Sequence, residues 1–212
     1  MAERILELLL SLPPLLLALT VHEYFHGFAA LRMGDPTAKW QGRLTFNPLK
    51  HIDPIGFLAF LFFRFGWAKP VPVNPYNFYN LKKGIIFTSL AGPGANFLLA
   101  MVSGLLLRLL NTTHFSPAVI FPILLMLKLS LYFNLVLCAF NLIPIPPLDG
   151  SKILFNLLPY QYKSLEYEME RYGFFLLLAL IFIDNLGFPV LWGWIGPFVK
   201  LFSVIFSGHI LI

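Results

Sequence analysis

One apolar stretch, which carries His22-Glu23-Tyr24-Phe25-His26 inside it, constrains this chain more than any other. From about Ile5 to Leu31 the residues read as a membrane-spanning helix, kinked or started by Pro13-Pro14 and ended by Gly34-Asp35-Pro36. Residues four apart share a helix face, so His22 and His26 can hold one metal ion together, and Glu23 can reach a water beside it. Titratable side chains in lipid are costly, which makes them functional by default. The plainer reading, two core histidines with satisfied hydrogen bonds, is weakened by that same cost.

The rest of the chain fits a membrane setting. Of 212 residues 58% are hydrophobic and 12% are charged, where soluble domains carry about 25% charged residues. The expected fold class is therefore an all-α polytopic membrane protein, with about five to six apolar segments and a small membrane-associated β element. A net charge of +5 comes from lysines and arginines in short loops, as expected beside anionic lipid at the cytoplasmic face, and does not suggest nucleic acid. Cys138 stands alone in an apolar run and reads as a packing residue. A cleaved leader is not expected, because His22, Glu23 and His26 interrupt the region where an apolar core should meet its cleavage site.

Loops carrying Arg32, Lys39, Arg43 and Lys50, and then Lys69, Lys82 and Lys83, flank a segment too short for a crossing, so residues 52–66 read as re-entrant, tilted or peripheral. Ala68 to Pro75 must be extended, because a residue before proline avoids the helical region. Pro70 and Pro72 remove donors from one edge, leaving the amides of Lys69, Val71 and Val73 on the other. Such a one-sided strand could pair with Arg43-Leu44-Thr45-Phe46, or accept an extended substrate at its free edge. Gly84 to Leu110 is the next span, with a stripe of Gly92, Asn96, Ala100 and Gly104 that lets another helix approach closely. The turn at 111–114 is uncharged and carries a weak glycosylation sequon, as expected on the outer side. Pro117 to Phe140 returns inward. The prolines that follow forbid helix in the stretch from Asn141 to Gly150, Ser151 to Leu158 reads as a short helix, and Tyr172 to Ile183 and Phe188 to Phe206 read as a final pair of spans. The whole of 1–212 reads as a single integral-membrane domain, with a core at about 5–158 and C-terminal spans at about 172–208.

A catalytic zinc site takes three protein ligands and keeps one open position. His51, His114, His209, Asp35, Asp53, Asp149, Asp184, Glu166, Glu168 and Glu170 are the candidates for the third. The glutamates lie in a charged, solvated segment, and His114 falls on the opposite side of the membrane. Asp149 follows an apolar span on a proline-braced return, and Gly150 permits a sharp turn there. An N-cap for the helix starting at Ser151 is the competing reading of Asp149.

Three stretches together, His22-Glu23-Tyr24-Phe25-His26, Ala91-Gly92-Pro93-Gly94-Ala95-Asn96 and Asn141-Leu142-Ile143-Pro144-Ile145-Pro146-Pro147-Leu148-Asp149-Gly150, resemble the site-2 protease family of intramembrane zinc metalloproteases. Gly34-Asp35-Pro36-Thr37-Ala38 and Gly66 to Asn74 look like its compact prokaryotic branch, without a PDZ or CBS domain. The resemblance implies one zinc ion held by His22, His26 and Asp149, with Glu23 as general base. It also implies roles near the site for Asn96 and Asn141, in positioning substrate or stabilising an oxyanion. The implied activity is hydrolysis of peptide bonds within or near transmembrane segments of membrane proteins, in regulated intramembrane proteolysis at the cytoplasmic side of a multi-pass plasma-membrane protein. The implied partners are those transmembrane segments and the lipid bilayer, with a homo-oligomer left open. A metal-ion transporter and a catalytically silent membrane scaffold are the alternatives. The absence of an internal repeat speaks against the first and the intact Glu23 against the second.

Overall fold

The computed structural model describes residues 2–63, 66–110 and 117–211. Helices dominate it: α1 (Ala2–Arg32), α2 (Thr37–Trp40), α3 (Pro54–Phe63), α4 (Leu81–Leu110), α5 (Pro117–Asn141), α6 (Asp149–Leu157), α7 (Lys163–Asn185) and α8 (Val190–Ser207). Pro13 and Pro14 lie inside α1 without ending it. Among the described residues three stretches are long and apolar enough to cross a membrane, namely Leu81–Leu110, Ile120–Asn141 and Val190–Ser207. The outer turn at 111–114, with its sequon and His114, lies outside the described residues.

α4 and α5 form the centre, with α1 packed on both and α8 closing the opposite side. Close approach follows from small residues: Ala95, Ala100, Ser103 and Gly104 of α4 are all buried. Leu131, Leu135 and Ala139 of α5 fill the core against Ala100 and Val199. Phe97 of α4 meets Phe202 and Phe206 of α8, with ring centroids 4.8 and 5.3 Å apart. Trp194 Nε1 donates to Ala139 O near the C-terminal end of α5, whereas Gly208 abuts Arg108 near the C-terminal end of α4. α8 therefore runs parallel to α4 and antiparallel to α5.

Two expectations change here. The final pair of spans reduces to one by length and composition. α8 qualifies, while α7 buries only Gly173 and Leu177 and carries Glu166, Glu168, Glu170 and Arg171 in its first half. The β element reduces to a single antiparallel bridge between Ile52 and Ala68, with no strand or sheet among the described residues. Lys69 N–H donates to His51 O at 2.8 Å, so the extended segment pairs with 51–52 and not with Arg43–Phe46. Pro70, Pro72 and Pro75 withhold the amides a longer ladder would need. Residues 52–66 contain α3, ten residues long. At 1.5 Å per residue it spans about 15 Å, half of the ~30 Å hydrocarbon layer, so it is too short to cross alone.

Candidate metal centre

His22 and His26 lie one turn apart on α1 and face α4. The two helices approach closely because position 92 is glycine. A Cβ there would lie 2.4 Å from His26 Nε2 and 2.7 Å from His22 Cε1. Each ring is held by its other nitrogen. His22 Nδ1 donates to Asn96 Oδ1 at 2.6 Å, and His26 Nδ1 donates to Thr88 O at 2.7 Å. The direction of the first bond is fixed by the amide, since Asn96 Nδ2 donates to Ala18 O at 3.0 Å and to Asn134 Oδ1 at 2.7 Å. Asn134 Nδ2 in turn donates to Ser130 O at 2.8 Å. With both Nδ1 atoms acting as donors, both neutral rings present an Nε2 lone pair to the same point.

The third group arrives from α5. Residues 142–148 leave the helix in a proline-rich turn, and α6 begins at Asp149, with Leu148 and not Asp149 at the N-cap. The N-cap reading of this carboxylate is thereby set aside. Gly150 makes the turn possible: a Cβ there would lie 2.3 Å from Leu142 O. Asp149 is 4% exposed and points Oδ2 at the histidines, 3.4 Å from His22 Nε2 and 3.0 Å from His26 Nε2. Its Oδ1 accepts from Lys152 Nζ at 3.0 Å.

The two Nε2 atoms are 2.9 Å apart. Three buried electron-pair donors thus converge without a protein N–H between them, an arrangement that repels itself unless a cation sits at its centre. Tetrahedral ligands about 2 Å from a zinc would be ~3.3 Å apart, so N2O donors at these spacings fit that ion after small shifts. These three residues are the metal-type cluster of His, Cys, Asp and Glu among the described residues.

Glu23 is 9% exposed, and its Oε2 accepts from Val71 N–H at 2.8 Å. Both line a cavity of about 380 Å³ together with His22, His26, Asp149, Val73, Asn141 and Lys152. Another cavity, of about 310 Å³, runs between α1, α3, α5, α7 and the loops beside α3, is mostly apolar and shares no lining residue with the first.

The remaining candidates separate by position. Asn96 is fully buried and its amide is engaged by His22, Ala18 and Asn134, so it has no donor left for a substrate or an oxyanion; it orients His22 instead. Asn141 lines the cavity, and its Nδ2 donates to Leu137 O. The amides of Lys69 and Val71 are bonded inside the protein, to His51 O and to Glu23, so neither is free to pair with a substrate strand. Val73 lines the cavity. His51 and Asp53 sit away from the cluster: His51 Nε2 donates to Thr45 O, and Asp53 accepts from the first amides of α3. Reading the sequence missed Thr88 and Asn134, whose importance depends on which helices pack together, and Lys152, which meets Asp149 one turn along α6.

A family model described as peptidase family M50 matches residues 112–183. The chain is 40% identical over 216 residues to "Putative zinc metalloprotease YwhC" of Bacillus subtilis (strain 168), with 97% of this chain and 98% of that protein covered. It is 32% identical over 180 residues to "Putative zinc metalloprotease Rip2" of Mycolicibacterium smegmatis, covering 81% of this chain and 66% of that one. The protein of the same name from Mycobacterium tuberculosis (strain H37Rv) is 31% identical over 204 residues, covering 92% and 73%. No solved structure matches the chain.

Proposed function

Because the chain belongs to peptidase family M50, and so is a membrane metalloendopeptidase, we propose that it hydrolyses peptide bonds within or near transmembrane segments of other membrane proteins. One zinc ion per chain, held by His22, His26 and Asp149, completes the site in this reading. The observation that carries it is the convergence of two Nε2 lone pairs and one carboxylate oxygen beside the Glu23 carboxylate, all on one buried cavity.

When bound, zinc supplies Lewis acidity that lowers the pKa of a water toward neutrality and stabilises negative charge on a carbonyl oxygen. The protein's own groups do the rest. Asn96 and Thr88 fix the ring tautomers, and Lys152 takes the second oxygen of Asp149, which leaves Oδ2 for the ion. Glu23 removes a proton from the attacking water and returns it to the departing amine. Asn141 lines the same cavity and, in this reading, contacts the substrate chain. Buried walls limit bulk water and strengthen each of these interactions.

Location and partners belong to the same proposal. We read the three apolar helices α4, α5 and α8, together with α1, whose apolar run is interrupted by the polar site residues His22, Glu23 and His26, as four crossings of the plasma membrane in a single domain. The loops that carry Arg32, Lys39, Arg43, Lys50, Lys69, Lys82 and Lys83 then lie in the cytoplasm, and His26 sits six residues, roughly 9 Å, inside that face. A substrate helix that enters there is unwound near its cytoplasmic end, consistent with regulated intramembrane proteolysis.

The deciding measurement compares wild type with Glu23→Gln on a single-span substrate in liposomes, with zinc assayed in both. Wild-type zinc content with cleavage reduced by roughly 10²- to 10⁴-fold is the expected result. Cleavage that survives Glu23→Gln would remove Glu23 from the mechanism.

A further inference from the structure

The segment from Lys69 to Asn74 lies across the site as a strap, and it is tied down by residues outside the metal cluster. At its start, Lys69 N–H donates to His51 O at 2.8 Å and Lys69 O accepts from Arg43 Nη2 at 2.7 Å. At its end, Asn74 N–H donates to Asp35 Oδ2 at 2.7 Å. Between these anchors Val71 N–H holds Glu23. Pro70 and Pro72 flank Val71, fix their own φ and offer no competing donor, so the anchors determine where the Val71 amide points.

Neither Asp35 nor Arg43 is explained by ordinary packing. Asp35 is fully buried at the C-terminal end of α1, and no ion pair to it is found among the described residues. Its Oδ1 accepts from Thr37 Oγ1, from Asn77 Nδ2 at 2.8 Å and from Thr37 N–H at 3.1 Å. Burial alone would raise its pKa, but the Thr37 hydroxyl, Asn77, and the amides of Asn74 and Thr37 outweigh that and hold it below the usual carboxylate range. Arg43 is 8% exposed, aims its charge at a backbone carbonyl, and leaves its buried Nε without a partner. A buried guanidinium is an expensive way to hold a loop, and the loop it holds carries the amide on Glu23.

We propose that Asp35 and Arg43 are positioning residues, which act through the 69–74 strap and the Val71 amide on the Glu23 carboxylate. The proposal rests on the reading of Glu23 as general base. Catalysis by a proton-transferring group depends on its placement to within about an ångström, and misplacement of that size costs on the order of 10²-fold. A loosened strap therefore lowers kcat while the metal and the substrate still bind.

The test uses the full chain in liposomes with the single-span substrate, and compares Asp35→Ala, Arg43→Gln and Glu23→Gln with wild type. Expected for the first two are wild-type zinc content, KM within about twofold, kcat lower by roughly 10- to 100-fold, and faster amide hydrogen exchange across 69–74. Arg43→Lys, which retains a cationic donor, should restore part of kcat and of the protection. Faster strap exchange with normal kcat overturns the proposal, as does reduced kcat with unchanged exchange. Should Asp35→Ala fail to fold, Asp35→Asn and the Arg43 pair carry the same comparison. Undiminished cleavage by Glu23→Gln overturns this proposal and the catalytic reading together, whereas normal kcat in the strap variants beside an inactive Glu23→Gln overturns the positioning role alone.

Discussion

At the level of single residues, the histidines are ligands because of what holds their far nitrogens. His22 presents Nε2 to the site only while Nδ1–H has an acceptor, and that acceptor is Asn96. In Asn96→Ala the imidazole N–H is left unpaired in a buried setting, which costs about 1–3 kcal/mol or drives the ring into another tautomer. Zinc affinity should fall by roughly 10- to 100-fold, in line with other losses of a group that orients a metal ligand. Competition titration with a chelator of known affinity measures this directly. An oxyanion role for Asn96 would instead lower kcat with zinc affinity intact, and the full engagement of its amide by His22, Ala18 and Asn134 argues against that outcome.

At the level of helices, Gly92 is where α4 approaches the site. Gly92→Ala puts a methyl group 2.4 Å from His26 Nε2, so either α4 retreats or the ring turns away. Overpacking of this kind costs about 1–3 kcal/mol of stability, but the metal site should suffer more than the bundle. The expected variant is helical by circular dichroism, binds zinc weakly and cleaves little; a variant with normal zinc and cleavage would show that α4 does not press on the ligands. Gly92 also marks the limit of what could be read without coordinates. The i, i+4 spacing puts His22 and His26 on one face by local geometry alone, and the prolines before Asp149 announce a break in helix. Which face of α4 meets α1 is a long-range fact, so the residues alone showed Gly92 as a packing glycine and Asn96 as a polar group in need of a partner; only the family resemblance put Asn96 near the histidines, and its contact with His22 Nδ1 was not legible. The extended strap was legible from its prolines. Its partners were not, because His51, Glu23, Arg43 and Asp35 reach it from distant positions in the chain and a carboxylate replaces a neighbouring strand.

For the molecule as a whole, the direction of α8 decides how the bundle sits in a bilayer. α8 begins beside Ala139, at the end of α5 that leads into the metal centre, and finishes beside Arg108, at the far end of α4. Its 18 residues span about 27 Å, close to the ~30 Å hydrocarbon layer. If the lysine-rich loops around the strap are cytoplasmic, both ends of the chain lie outside and α7 stays near the inner face, where its charged first half is wetted. Cys138 is the sole cysteine and is 3% exposed, which gives the wild type a silent background for thiol labelling. His209→Cys and Gln161→Cys, both at exposed positions, then report from the two ends of the α7–α8 region. His209→Cys should react with a membrane-impermeant maleimide in intact cells, and Gln161→Cys only after permeabilisation. Reaction of both under one condition would mean that α8 does not cross. The charge-poor helix that packs against Phe97 would then lie in the interface, and the closed side of the metal centre would face headgroups instead of acyl chains. Opposite reactivity places the metal centre near the cytoplasmic surface, where a strap held by soluble-facing loops can meet a substrate helix as it leaves the membrane.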